Sequence, residues 1–554
     1  MLPFVFITFV YGCYWLVNGD IWWHLKAGEL ILAERRIPTH NSFTYTNPES
    51  IWIDLHWGFQ ILVAFLYKNY GTAGLIVTKS LMGASTFLLI MKTTTRKLAG
   101  WIVVVCLAPF LYIFIARYHV RPEMISLMLL AATIYIIHRS QDDLRALWML
   151  VPVQLLWVNT QGLFILQHLV LGAYLLEQFL TLLRHRTNVR RVRTVALVLL
   201  ISVIASLVNP YGLRGALFPF ELMAKMTGDQ REFFQQLAGE TSGMAEFIDR
   251  YGIFSILENN TTLLLLVTTT FVLGSQILAC IVRRQFAVYH CCLIVGFGYL
   301  AWQMNRNSNL FAIVYGYVLL TNVVLLVNHF RQSSEPPGNR SSNPDQTITI
   351  LPLIKGAVLL TLAMTMVSSV HDLYQNNLQN TTELPLRRYG FNEHPWYKHD
   401  AAIFLDSLPG PMNIYVNDRG LGMAGVVIYH CYHADSRNTK RVYADARLEA
   451  NSIQVLKDFQ RIPKLLESDA LMARPVLVAN QENMPILMLG NSLLLSRPVL
   501  LDRLINDPYW VCVYLDPPDP QTRKQGLSIF MPSPTQQRMN IDPVSIVPLL
   551  EFTR

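Results

Sequence analysis

Long apolar runs separated by short polar connections fill the first two thirds of the chain, at residues 2–17, 75–91, 101–116, 124–137, 147–158, 163–183, 195–208, 262–282, 286–304, 310–327 and 351–370. About 20 apolar residues are needed for a helix to cross a bilayer, so the shorter runs must borrow flanking residues or sit among neighbours. About eleven transmembrane helices are expected. The first run starts at Met1 with no basic flank and no small-residue cleavage site, which is the pattern of a spanning helix and not of a leader. Beyond residue 370 the runs shorten and alternate. The pattern predicts helices over 401–408, 453–466 and 499–505, and strands over 412–416, 442–444, 475–479, 510–515 and 527–531. Alternation of this kind argues for an α/β domain, and about 180 residues is enough for one core.

The expected fold class is therefore mainly α, a polytopic membrane module over residues 1–370 followed by a C-terminal α/β domain over 371–554. Two long loops, 19–71 and 210–260, interrupt the module. A Ser-, Pro-, Gly- and Asn-rich stretch, 332–347, reads as a disordered connection before the last span.

Composition agrees with this picture. Hydrophobic residues make up 52% of the 554, charged residues only 15%, and the mean hydropathy is +0.32. The formal charge of +8 falls in short alternate connections: Lys92, Arg96 and Lys97; Arg139 and Arg145; Arg184, Arg186, Arg190, Arg191 and Arg193; Arg283 and Arg284; Arg331 and Arg340. The positive-inside rule puts these loops and the amino terminus in the cytoplasm, and the loops 19–71 and 210–260 and the C-terminal domain outside. Loop 210–260, with seven acids against four bases, has the opposite bias. No basic patch interleaved with aromatics argues for nucleic acid. Of seven cysteines, Cys431 and Cys512 alone lie outside apolar runs; they form a disulfide or stand as buried thiols.

Candidate chemistry gathers at the first outer loop. Asp20 is followed by Trp22, Trp23 and His24 where a span meets water, and an acid at that edge is a functional-site hypothesis by default. A helix over 21–34, a turn-rich stretch, and then Trp52, Asp54, His56 and Trp57 follow, as in a loop that roofs a membrane-embedded site. Asp20 also suits a helix N-cap, and the tryptophans suit interfacial anchors. Arg121, before Pro122 at a helix start, opposes the macrodipole and calls for an anion, while Arg117 suits a snorkelling anchor. Arg306 sits in a very short outer connection, and Glu240 in the acidic loop. His24, Asp54, His56, Arg121, Glu240 and Arg306 are the candidate substrate-binding residues. Asp20, Asp54 and His56 could together hold a divalent metal; no zinc-type cysteine spacing occurs, and no cofactor is otherwise indicated. The turn at Asn417–Gly422 lacks a phosphate-loop pattern and reads as an ordinary strand-to-helix turn.

The order of Gly19-Asp20-Ile21-Trp22-Trp23-His24-Leu25, Gly28, Ile37-Pro38, Ser42-Phe43-Thr44-Tyr45-Thr46 and Trp57 resembles the amino-terminal signature of bacterial multi-spanning proteins related to the GT-C glycosyltransferases. The likeness continues through Arg121-Pro122-Glu123, Trp157-Val158-Asn159-Thr160-Gln161-Gly162, Asn209-Pro210-Tyr211-Gly212, Arg306 and Tyr443-Ala444-Asp445-Ala446-Arg447. Two positions depart from it: Gln161 stands where similar proteins carry His, and His56 where they carry Glu. The resemblance implies a bacterial inner-membrane transferase that takes a sugar from a polyprenyl-phosphate carrier on the outer face, with Asp20 as the base, for an acceptor it does not identify. Its partners would be that lipid-linked donor and membrane lipid. A transporter or a non-catalytic surface-binding protein is the alternative; a transporter spreads charge along a pathway through the bilayer, whereas the acids here cluster at one face.

Overall fold

The structure is a computed structural model describing residues 1–94, 98–186, 188–228, 231–237, 243–252, 259–334, 388–418, 421–435, 437–479, 481–516 and 526–546, with a few isolated positions besides. Glu240, most of the expected connection 332–347 and nearly all of the expected span 351–370 lie outside the described residues.

Two compact units result, one made of Met1–Leu16 and Thr72–Asn392, the other of Val17–Gly71 and Glu393–Arg554. The helix Trp57–Lys92 runs through the boundary and breaks at Gly71, where φ +59° and ψ −153° leave the helical region in a way that glycine alone tolerates.

The first unit is helical. Every expected apolar run up to residue 327 contains helix, among them Leu2–Gly12, Gly100–Ile115, Glu123–Arg139, Ile165–His185, Asn260–Arg283, Val288–Gln303 and Ser308–Ser334, although the first run, expected over 2–17, leaves the helix after Gly12 and Tyr14 forms a bridge to Tyr389. Four helices of the chain, Trp57–Lys92, Gly162–His185, Thr261–Arg283 and Asn305–Arg331, are long and apolar enough to cross a membrane by themselves, so the count of eleven is not reached among the described residues. The others are shorter. Buried amides and hydroxyls tie helix to helix, as suits a setting without water: Gln154 Nε2 donates to Ser206 Oγ (2.9 Å), Gln167 Nε2 to the Leu150 carbonyl (2.8 Å) and Trp157 Nε1 to Ser126 Oγ (2.8 Å).

The second unit is built on a five-stranded mixed sheet of order β2-β1-β3-β5-β4, with β1 Met412–Asn417, β2 Lys440–Val442, β3 Ile486–Gly490, β4 Trp510–Leu515 and β5 Leu527–Pro532. β1 runs parallel to β2 and β3; β5 is antiparallel to β3 and β4. Two expected strands move. Residues 475–479 end the helix Ala470–Val478, because Pro475 has no N–H to give a central strand, and the strand of that region is β3. The strand expected at 442–444 ends at Val442. The edge at β2 is covered by the first loop: Val442 N donates to the Phe43 carbonyl and Tyr45 N to the Val442 carbonyl, both at 3.0 Å. An uncovered edge invites pairing with other chains, so this loop segment is part of the sheet's design. Cys431 and Cys512 are free thiols, bonded to the carbonyls of Ala402 and Tyr514.

Candidate functional site

Asp20 is the first residue of the helix Asp20–Glu34, whose N-cap position is Gly19 and carries no side-chain cap. The capping alternative therefore does not describe it. Its carboxylate lies in the first turn, where negative charge complements the helix dipole, and its N–H donates to Asn18 Oδ1 at 3.0 Å.

Glycines set this helix in place. A Cβ on Gly19 would come 2.7 Å from the Gly422 carbonyl oxygen, and one on Gly425 would come 2.6 Å from that of Gly19. A Cβ on Gly28 would strike the backbone of Gln60. Backbone thus meets backbone on both sides, against the helices Gly422–Cys431 and Trp57–Lys92. On the partner side it is Gly425 that this close approach requires, since a Cβ on Gly422 would meet nothing.

Trp22 and Trp52 are wholly buried and Trp23 nearly so, which excludes them as lipid anchors. Trp22 is ringed by Tyr67, Tyr397, His399 and Tyr429, with centroids 4.5 to 5.9 Å away. Trp23, Trp52 and Phe43 surround the Arg447 guanidinium at 5.8, 4.4 and 4.7 Å. Arg447, fully buried, binds Asp445 through two nitrogens and Asn41 through Nη2. The Asp445-Ala446-Arg447 motif is thus a buried ion pair inside an aromatic cage drawn largely from the first loop.

His24, Asp54 and His56 come together. The His24 ring lies edge-on to His56 and Phe59, at 5.7 and 5.2 Å between centroids. Asp54 is fully buried and accepts from the His56 N–H and from Gln60 Nε2, each at 3.0 Å; His56 Nδ1 is 3.9 Å from the same oxygen, beyond hydrogen-bond length. Burial pushes the Asp54 carboxyl up to about 7, against the hydrogen bonds from His56 and Gln60. His56 is the more accessible member. Asp20, Asp54 and His56 do not form a metal-binding group: among the described residues no three His, Cys, Asp or Glu side chains gather so as to hold an ion.

The arginines belong to the helical unit. Arg121 is half-buried at the start of the helix Glu123–Arg139, and Arg306 lies in the turn Asn305–Asn307. Close to them in sequence, Asn309 Nδ2 donates to the Arg117 carbonyl at 3.4 Å. Arg117 is engaged with Glu123, 3.7 Å away, and so is held by more than snorkelling. Gln161 accepts from Ser126 Oγ at 2.9 Å and from the Leu163 N–H; at this departure from the family pattern a neutral amide does structural duty.

Sequence reasoning missed Gln60, which holds Asp54, and a chain of side chains behind Trp22: His399 Nδ1 lies 2.8 Å from His430 Nε2, and its Nε2 is 3.1 Å from Glu393. His430 is pushed down to about 4 by burial and by His399 and Lys26. Gln60 stands only six residues from Asp54, whereas no local motif signals His399, His430 and Glu393, which stand hundreds of residues from the loop they pack on.

No family model matches the chain, and no curated protein matches it in sequence. Solved structures do. The Archaeoglobus fulgidus oligosaccharyltransferase in its apo form is 11% identical with a TM-score of 0.52, over 93% of this chain and 73% of its own. The same enzyme tethered with an acceptor peptide containing the NVT sequon gives 12% identity and 0.54, over 93% and 72%. AglB from that organism, in complex with an inhibitory peptide and a dolichol-phosphate, gives 11% and 0.51, over 96% and 74%. At such identity the likeness is one of fold: over more than nine tenths of its length this membrane protein is similar in fold to archaeal oligosaccharyltransferase.

Proposed function

We propose that the chain is a membrane glycosyltransferase that moves a sugar from a polyprenyl-phosphate-linked donor to an acceptor on the outer face of the bilayer. The observation that carries this is the shared fold with oligosaccharyltransferases, one bound to a dolichol-phosphate and one tethered to an acceptor peptide. Asp20 is the base. Its carboxylate stands at the start of a helix held rigidly by glycine contacts, and it takes the proton of the acceptor as that group attacks the anomeric carbon. Displacement is direct and inverts the centre, with no covalent enzyme intermediate. For the departing phosphate the reading assigns Arg121 and Arg306, because guanidinium grips phosphate oxygens bidentately. His24 and His56 line the acceptor side, and Asp54 sets His56 from behind. Glu240 is assigned to the acceptor from sequence alone. A related enzyme structure contains Zn and sulfate, but the described residues here gather no ion-binding group, so no step of this reading passes through a metal.

The test is Asp20→Asn in membranes supplied with lipid-linked sugar. A base in a proton transfer contributes about 10²–10⁴-fold, so transfer should fall by that factor with expression unchanged. Undiminished transfer would remove Asp20 from the role.

A further inference from the structure

The helix Gly212–Thr227 has three distinct faces. Gly215 and Met226 are buried against the protein, with Leu222 between them on the same side. Opposite them, Leu213, Leu217, Phe220 and Met223 are 47 to 64% exposed, at spacings of four, three and three residues that align them in one stripe. Arg214, Glu221 and Lys225 run along the flank between the two. An exposed apolar stripe beside a charged line is what a helix needs in order to lie in the plane of a membrane surface.

The chain enters this helix through a fixed corner. Asn209 Nδ2 donates to the carbonyls of Ser206 and Gly212 (2.8 and 2.9 Å), and its Oδ1 accepts from the Tyr211 N–H at 2.8 Å. Gly212 takes φ +55°, which a side chain would strain. Immediately before the corner, Leu200, Val203 and Ile204 at the end of the helix Val189–Ala205, and Leu207 and Val208 just beyond it, are exposed, an apolar surface adjoining the stripe. The stripe therefore continues a larger exposed apolar surface and does not begin a separate patch.

We infer that Gly212–Thr227 is an in-plane interfacial helix whose Leu213–Leu217–Phe220 stripe is covered by lipid, with the exposed Arg214 at the height of anionic headgroups. This inference stands apart from the assignment of Asp20 and from any transferase activity.

A photoactivatable benzoylphenylalanine placed singly at Leu217, at Phe220 and, for comparison, at Glu221 tests it in the full-length protein reconstituted into phosphatidylethanolamine–phosphatidylglycerol vesicles. On irradiation, lipid adducts detected by mass spectrometry should form at positions 217 and 220 severalfold more than at 221. Adducts to a second copy of the chain at 217 and 220, or no more lipid adduct there than at 221, would overturn it. These side chains are exposed, so the substitutions leave the packed face intact.

Discussion

Among single residues Asp54 offers the cleanest test, because its environment makes a quantitative demand. A carboxyl with no exposure and a folded value near 7 is held neutral at mild acidity, and ionising it works against the fold. The sign is that of an acid whose folded value is raised: its contribution is complete below the ordinary value of 3.8 and is lost as pH rises through about 7. Asp54→Asn keeps the shape and removes the ionisation. The variant should therefore gain stability relative to the parent between pH 5 and pH 8, by about 1–3 kcal/mol at the upper end, seen as a parent melting temperature that falls with pH while that of the variant stays flatter. Parallel pH profiles would place the titration elsewhere. Arg447 makes the opposite demand. Losing one member of a buried ion pair strands the other, so Arg447→Ala should cost about 3–5 kcal/mol in thermal unfolding, with Asp445 left uncompensated. Both residues were visible in the sequence as members of motifs. Their burial was not: Arg447 depends on Asn41, 406 positions away, which no periodicity links to it, and the Asp54 carboxylate is closed in by Gln60, six residues on, whose side chain carries no motif of its own.

At the scale of elements, the helix that carries Asp20 was legible almost to the residue, because the change from an apolar run to Asp-Ile-Trp-Trp marks its start and the apolar spacing continues to Glu34. Its placement depends on glycines whose purpose a sequence does not disclose. Gly28→Val would drive a side chain into the Gln60 backbone and should destabilise the protein by about 1–3 kcal/mol or shift the helix, whereas Gly172→Ala, with nothing near its added methyl, should be neutral or slightly stabilising. Comparing the two in thermal unfolding separates close packing from general intolerance of change at glycine. The strands were read less well. The run at 475–479 is apolar and short, which periodicity cannot distinguish from a helix end, and Pro475 was the residue that should have decided it. β3 escaped notice for the complementary reason: Ile-Leu-Met-Leu-Gly lies between β1 and β5, buried throughout, so it shows none of the alternation that marks a half-exposed strand.

For the whole molecule, the division of the chain constrains topology more firmly than the charge of its loops. Val17–Gly71 and Glu393–Arg554 form one compact unit, and Phe43 and Tyr45 of the first segment exchange backbone hydrogen bonds with Val442 of the second. A sheet is not assembled through a bilayer, so both segments are expected on one side of it, with an even number of crossings between residues 71 and 393. The pattern of runs and charges leads one to expect an outer loop and an outer domain with ten apolar runs between them, an even number; that the two share a sheet it does not reveal, since pairing across so long a separation leaves no local trace. The Arg-rich connection at 184–193 should then lie on the opposite face. Epitope tags inserted after Asn47, after Arg186 and at the carboxyl terminus of the protein in intact cells check this. The first and last should be reached together by an impermeant antibody, and the middle one only after the membrane is opened. If the first and last tags were reached from opposite sides, the shared sheet could not exist in the membrane, and the unit that holds Asp20 would have to be rebuilt without its C-terminal half.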